Sequence, residues 1–199
     1  MSLEALNTFG SLTTVIIVAA AAIAALIQLR HLRAGNQISA MVEIANTLSA
    51  DHFTDAVTLL RIKLGAAMKD PEYHRYELAV SLGNDPGVVD PAYIALRQAT
   101  LTVGNRFEEI GILARRGVID TDMFLDAFCS RISAAWDRLA PLTAFSRDTI
   151  SPLAWENFEY LAVLAEDWMK VHRRGTYPVG MRRLKITNPW PTATTATVT

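Results

Sequence analysis

The sequence is poor in the residues that announce chemistry. It holds one cysteine, Cys129, among 199 residues. One thiol makes no internal disulfide, and no CxxC or Cys/His cluster offers zinc its donors. With Phe128 beside it and Ile132 one turn on, Cys129 reads as a small buried hydrophobe rather than a reactive thiol. A domain without a disulfide frame fits a reducing compartment. HExxH is absent, and so are the paired Glu-x-x-His motifs of a di-iron bundle, the P-loop, GxGxxG and GxSxG. These absences leave no expected metal, cofactor or catalytic residue. The formal net charge is -1, so no global field points to nucleic acid or an acidic substrate. No DNA-binding motif or aromatic-rich sheet argues for nucleic acid either.

Charge is also missing from one long stretch. Residues 5–29 carry no charged side chain. As a helix rising ~1.5 Å per residue, the run exceeds the ~30 Å hydrocarbon core of a bilayer. A cleaved signal peptide wants basic residues before a short apolar stretch, whereas Glu4 precedes this long one. A buried core helix would be shorter and broken by polar positions. The run therefore reads as a single transmembrane helix, meeting the lipid bilayer through residues 12–29. Thr13 and Thr14 are tolerable there because their hydroxyls can bond back to helix carbonyls. Arg30 and Arg33 follow the span, with His31 between them. The positive flank stays in the cytoplasm, which places the N-terminal side outside and the rest inside. Ala20/Ala24 and Ala21/Ala25 have the small-xxx-small spacing that lets two anchors approach; alanine also simply favours helix.

Nothing after Arg33 has strand periodicity. Gly35-Asn36 either breaks the first helix or lets it run on as a stalk. Ile38, Met41, Val42, Ala45 and Leu48 form an apolar stripe. Phe53, Val57, Leu60, Leu64 and Ala67 form the next, after a cap at Asp51. Asp70-Pro71 reads as N-cap and first residue of a helix to Leu82. GNDPGVVDP, residues 83–91, is a loop, and Asp90-Pro91 caps a long helix ending near Arg116. Its stripe is Ala99, Val103, Phe107, Ile110 and Ala114, and Gly117 stops it. Asp120 opens another helix, with Phe124, Leu125, Phe128, Ile132, Ala135, Trp136 and Leu139 on one side and Pro141 at its end. Ser151-Pro152 caps the last, whose stripe is Phe158, Leu161, Ala162, Ala165 and Trp168. Glu166 and Lys170 are an i,i+4 pair. The expected fold is all-α: one N-terminal transmembrane helix, then a compact bundle of about five or six amphipathic helices. The expected organisation is an anchor over residues 1–34, a helical domain over 35–174, and a basic, then Pro/Thr-rich tail over 175–199, partly disordered.

Several clusters invite a chemical reading. Asp51, His52 and Asp55 offer a weak cation site, but a cap and a solvated histidine explain them better. Asp122 and Asp126 have acid/base spacing, yet Asp122 suits the helix dipole and nothing nearby is a nucleophile. RFEEIGILARRGVID, residues 106–120, is the densest charged segment. Glu108 and Arg115 lie two turns apart on one face, as do Glu109 and Arg116, and Arg106 can pair with Glu109. Arg106, Glu108, Glu109, Ile112, Arg115 and Arg116 are thus a candidate interaction surface, against the plainer reading of a solvated face and stop signal. Arg173, Arg174, Arg182, Arg183 and Lys185, with His172, form a basic tail. With Arg30 and Arg33 they are candidate contacts to anionic lipid, at ~1 kcal/mol per basic residue. Trp190 would suit the interface.

The apolar N-terminal helix, the QLRHLR exit and above all FEEIGILARRGVIDTDMF, residues 107–124, resemble an uncharacterised bacterial family of short, membrane-anchored helical proteins filed as a domain of unknown function. The resemblance spans the anchor to the helix ending near Arg174. It implies a bacterial single-pass protein and supplies no activity or catalytic residues; the location expected from the anchor and its flanks is the cell inner membrane. Two functions remain open. One is a protein-interaction or scaffold module at the cytoplasmic face, binding a partner or its own copies. The other is a tethered enzyme or ligand-binding module with acids such as Glu108, Glu109 or Asp122 in an inter-helix pocket.

Overall fold

The computed structural model describes the backbone of residues 3–189 and the side chains of residues 13–189. Six helices account for its regular structure, and no strand occurs among the described residues. Helix α1, Leu3–Ser49, is unbroken. Gly35 costs a helix about 1 kcal/mol relative to alanine, and neighbouring good helix formers absorb it. Every side chain from residue 13 to 36 is exposed. The segment Thr13–Ser49 is long and apolar enough to cross a membrane.

Beyond residue 36 the same helix becomes part of the bundle. Met41, Ile44 and Leu48 are buried, with Ala40 and Ala45 packed beside them. Ile38 and Val42, expected in this stripe, are instead 58% and 54% exposed. At ~100° per residue they lie a quarter-turn or more from the Met41/Ile44/Leu48 line.

Ala50, in extended geometry, turns the chain into α2, Asp51–Leu59. Asp51 is the first helical residue rather than the cap, and its charge there suits the helix dipole. Helix α2 continues through a π-helical turn, Leu60–Leu64, into Gly65–Ala67. Helix α3, Pro71–Ser81, starts as its sequence predicts, the Asp70 carboxylate accepting from Glu72 N at 2.9 Å. Helix α4, Pro91–Arg115, is capped by Asp90, which accepts from Ala92 N at 2.8 Å. Its end is a Schellman turn: Gly117 N donates to Ala114 O and Val118 N to Leu113 O, both at 3.0 Å. Gly117 has φ 65°, the left-handed conformation this stop requires.

Helix α5, Thr121–Thr149, is capped by Asp120 and does not end at Pro141. Proline inside a helix costs about 3 kcal/mol. Pro141 lies on the solvent side, where water can reach the carbonyl left without a donor. Leu139, Leu142 and Thr143 are buried on the opposite side, and the Thr143 hydroxyl donates to Leu139 O at 2.9 Å. Burial on both sides of the proline offsets its cost.

Helix α6, Glu156–Val171, starts four residues later than Ser151-Pro152 suggests. Ser151 instead accepts from Leu153 N in a turn, and Trp155 is the N-cap residue, in the left-handed region at φ 50°. Helices α5 and α6 are antiparallel. Trp136 packs edge-on against Phe158 at 5.1 Å, and Trp168 Nε1 donates to Asp122 at 3.0 Å further along. The centre of the core is aromatic. Phe107 stacks on Phe158 at 5.0 Å and meets Phe53 edge-on at 5.9 Å. Cys129 is buried, as its neighbours indicate.

Candidate functional site

The charged segment 106–120 divides between two tasks. Helix α4 presents Gly104, Phe107, Glu108 and Gly111 to the start of α6. The Glu108 carboxylate accepts from Asn157 N at 2.9 Å, Phe158 N at 2.8 Å and Asn157 Nδ2 at 2.6 Å. Those two amides are the second and third of α6, the donors a local cap residue would satisfy. Trp155 makes no side-chain cap bond, so a carboxylate from another helix does the work. The two glycines allow this approach. A Cβ on Gly104 would lie 2.3 Å from the Trp155 ring, and one on Gly111 2.1 Å from Asn157 O. Trp155 Nε1 donates to Asn105 Oδ1 at 3.0 Å, which helps hold the strained backbone.

The rest of the segment stays outside. Arg106 pairs with Glu109 at 2.8 Å, as the i,i+3 spacing suggests. Ile112, Arg115 and Arg116 are exposed. Glu108 makes no ion pair with Arg115, since its carboxylate is turned to α6. The acids proposed for a shared pocket do not converge. Glu108 caps α6, Glu109 faces Arg106, and Asp122 accepts from the Trp168 indole. Asp126 accepts from Thr176 at 2.6 Å. No group of three metal-ligating side chains occurs among the described residues.

A second polar cluster is buried between α3 and α4. Glu77 and Arg97 form an ion pair, with the Glu77 side chain 8% exposed. Tyr73 Oη, Glu77 Oε1 and Thr100 Oγ1 are buried nearby without hydrogen-bond partners. Burial, followed by the field of Glu77, pushes the Tyr73 phenol well above its ordinary value. At the surface, Tyr93 donates to Asp70 at 2.6 Å. That bond, then one from Glu72 N, lowers the Asp70 carboxyl, and the same Tyr93 bond raises the Tyr93 phenol to about 12.

One concavity was not legible in any motif. It is an open groove of 640 Å³ between the end of α1, α2, α4 and α5. Leu48, Phe53, Val57, Leu60, Val103 and Phe107 form its apolar floor. Arg61, Arg131 and Arg138 stand around it, with Ser49, Thr54, Thr58 and Ser130, and no aspartate or glutamate lines it. Arg138 donates to Ala134 O, and Arg131 lies 5.8 Å from the Phe128 ring centre. None of the three arginines is ion-paired with a carboxylate among the described residues. The π-helical turn contributes Leu60 and Arg61 to the wall; such turns are frequent at functional sites.

At the other end of the bundle, basic groups gather around the departure of α1. Arg33 and Gln37 each donate to Gly117 O at 3.5 Å. That contact sets Arg30 and Arg33 beside the end of α4, where Arg115 and Arg116 are exposed. The end of α6 lies at the same pole, through Trp168 and Asp122, so Arg173 and Arg174 follow there. The described part of the tail is exposed and irregular. Thr176 ties it to Asp126, and Arg183 lies 4.6 Å from the Tyr177 ring centre. Arg182 and Lys185 share this segment, while Trp190 and the Thr-rich end lie outside the described residues.

The chain belongs to a family described as a domain of unknown function, DUF4760, which matches residues 15–168. The matched region takes in most of α1 together with the bundle down to Trp168. No curated protein and no solved structure matches the chain.

Proposed function

We propose that this protein is a single-pass, membrane-anchored interaction module of the inner membrane, with its helical bundle in the cytoplasm. The observation that carries the reading is the division of α1. Its side chains over residues 13–36 are bare and largely apolar, while Met41, Ile44 and Leu48 of the same helix belong to the core. A bare apolar helix of this length is stable in lipid and not in water. Its continuity with the core favours a retained anchor over a removable leader. The family match, which includes both parts, supports the same view.

Arginines at the root of α1 support the orientation. Arg30 and Arg33 are joined at one pole by Arg115, Arg116, Arg173 and Arg174. Such a collar suits the anionic cytoplasmic leaflet, each residue contributing about 1 kcal/mol near the surface. The tail residues Arg182, Arg183 and Lys185 extend it. Binding rather than catalysis is the role favoured, because the candidate acids are each engaged in separate structural contacts. The bound species is a protein partner or a second copy of the chain.

Proximity labelling in living cells tests this, with the labelling enzyme fused after Thr199. Labelling of a small recurrent set of cytoplasmic proteins is expected. Labelling confined to extracytoplasmic proteins would refute the orientation. Release of α1 from the membrane by a leader peptidase would refute the anchor.

A further inference from the structure

We infer that the groove at Phe53, Val57, Val103 and Phe107 is the docking site for an acidic amphipathic helix of a partner protein. The inference rests on the interaction role proposed above and specifies which surface performs it. Charge complementarity carries it. Arg61 stands on α2, and Arg131 and Arg138 stand on α5, with no carboxylate lining the groove. Three guanidinium groups around an apolar floor give the groove a positive potential that draws in anionic groups. Arginine is also the side chain best suited to grip a carboxylate with two parallel bonds.

The spacing selects a helix over a single-headed amphiphile. Arg131 and Arg138 are seven residues apart on α5, about 10 Å along its axis. Arg61 belongs to a different wall. One carboxylate or phosphate cannot meet charges so distributed, whereas a helix carrying Glu or Asp at i and i+7 matches the α5 pair. Its apolar residues, at i+1, i+4, i+5 and i+8, face about a quarter-turn away from those acids and would enter above Phe53 and Phe107. This is helix-in-groove recognition with its rim charges inverted to positive.

Position in the fold agrees. Leu48 lines the groove, while Arg33 marks the root of the bundle. Fifteen residues of α1 separate them, about 22 Å of helix. The groove therefore stands clear of the lipid headgroups and faces the aqueous side, where a protein helix can reach it. Its floor is already well packed, so the gain from apolar contact is small. Micromolar affinity and a strong dependence on salt follow.

The test uses the full chain in nanodiscs of neutral phosphatidylcholine and a displayed library of helical peptides. Four anchor positions vary among apolar residues, and the flanks vary among Glu, Gln and Lys. Enrichment of glutamate flanks is expected. The selected peptide, made synthetically, should bind at least about tenfold more weakly to Arg61→Glu and to Arg131→Glu. Its lysine-flanked twin should bind the Arg61→Glu/Arg131→Glu/Arg138→Glu variant and not the wild type. Circular dichroism and the urea midpoint check that these surface variants stay folded. Selection of lysine flanks, or of none, overturns the proposal. So does displacement of the peptide by dodecyl phosphate at equal concentration, which would make the groove a site for anionic amphiphiles. Self-association of the chain in nanodiscs that the Arg61→Glu/Arg131→Glu/Arg138→Glu variant abolishes would assign the groove to a second copy and would also overturn it. The binding result does not depend on orientation in the cell, so its failure and a failure of the topology reading are separable.

Discussion

Glu108 offers the sharpest test of how this bundle is held together. A surface reading would make Glu108→Ala harmless, while the structure makes it expensive. The carboxylate takes three hydrogen bonds, two from the amides that open α6. Asn157 is 6% exposed and Phe158 is 0% exposed, so water cannot fully replace the lost acceptor. Loss of an ordinary cap costs about 0.5–2 kcal/mol. Each buried donor left unpaired costs about 1–3 kcal/mol. Partial access of water to Glu108 itself moderates the sum, and we expect Glu108→Ala to lose about 2–4 kcal/mol. Glu108→Gln keeps one acceptor oxygen and should lose about half of that. The assay is urea unfolding of the full chain in nanodiscs, followed by tryptophan fluorescence, since Trp155 and Trp168 report on α6. The midpoint should fall with the slope unchanged. Glu109→Ala is the control, because its exposed i,i+3 pair with Arg106 contributes under about 0.5 kcal/mol. Equal behaviour of the two alanine variants would show that Glu108 does not cap α6.

Other consequences are equally direct. Gly111→Ala should destabilise by about 1–3 kcal/mol because its Cβ meets the Asn157 carbonyl, while Gly35→Ala, with nothing within 4 Å, should leave stability unchanged or slightly raised in the same unfolding assay. Arg97→Met leaves the Glu77 carboxylate buried without its cation and should cost about 3–5 kcal/mol. The double variant Glu77→Leu/Arg97→Met should recover most of that loss in thermal unfolding, and a strictly additive cycle would count against the pair. The Asp70–Tyr93 bond should shape stability at both ends of the pH scale. Asp70 is lowered on folding, so its contribution is present above the ordinary carboxyl value near 4 and lost as pH falls through the lowered one. Tyr93 is raised, so its contribution is whole below about 10 and lost as pH rises through about 12. Tyr93→Phe should flatten both limbs of the stability profile, and an unchanged profile would refute the assignment.

Local rules in the sequence reached most of the fold. Asp70-Pro71, Asp90-Pro91, Asp120 and Gly117 begin or end helices where their chemistry says they should. The stripes on α4 and α5 are buried as their spacing implies, except Trp136, which is half-buried. The departures share a cause. Pro141 stays inside a helix because Leu139, Leu142 and Thr143 are buried around it. Ser151-Pro152 fails as a helix start because the cap of α6 comes from Glu108, in another helix. Ile38 and Val42 stay outside because α1 meets its neighbours along a different line. In each case a tertiary contact overrode a local signal, and nothing local records that contact. The groove was illegible for the same reason. Arg61 and Arg131 are seventy residues apart in the chain (131 − 61), and only the packing of α2 against α4 and α5 sets them around one cavity.

The phrase FEEIGILARRGVIDTDMF, the most distinctive stretch of the chain, gains a physical meaning from this arrangement. Phe107 stacks on Phe158, Glu108 caps α6, and Gly111 admits the Asn157 backbone. Gly117 closes the Schellman turn and receives Arg33 and Gln37 from α1. Asp120 caps α5, and Asp122 holds Trp168 at the far end of α6. One contiguous segment thus fixes α1, α5 and α6 relative to α4. Glu108, Asp120 and Asp122 are used as caps and ties, so a distinctive motif need not mark an active site. The exposed arginines that take no part in this assembly, Arg30 at the root of α1 and Arg61 and Arg131 beside the groove, are where interaction remains to be sought.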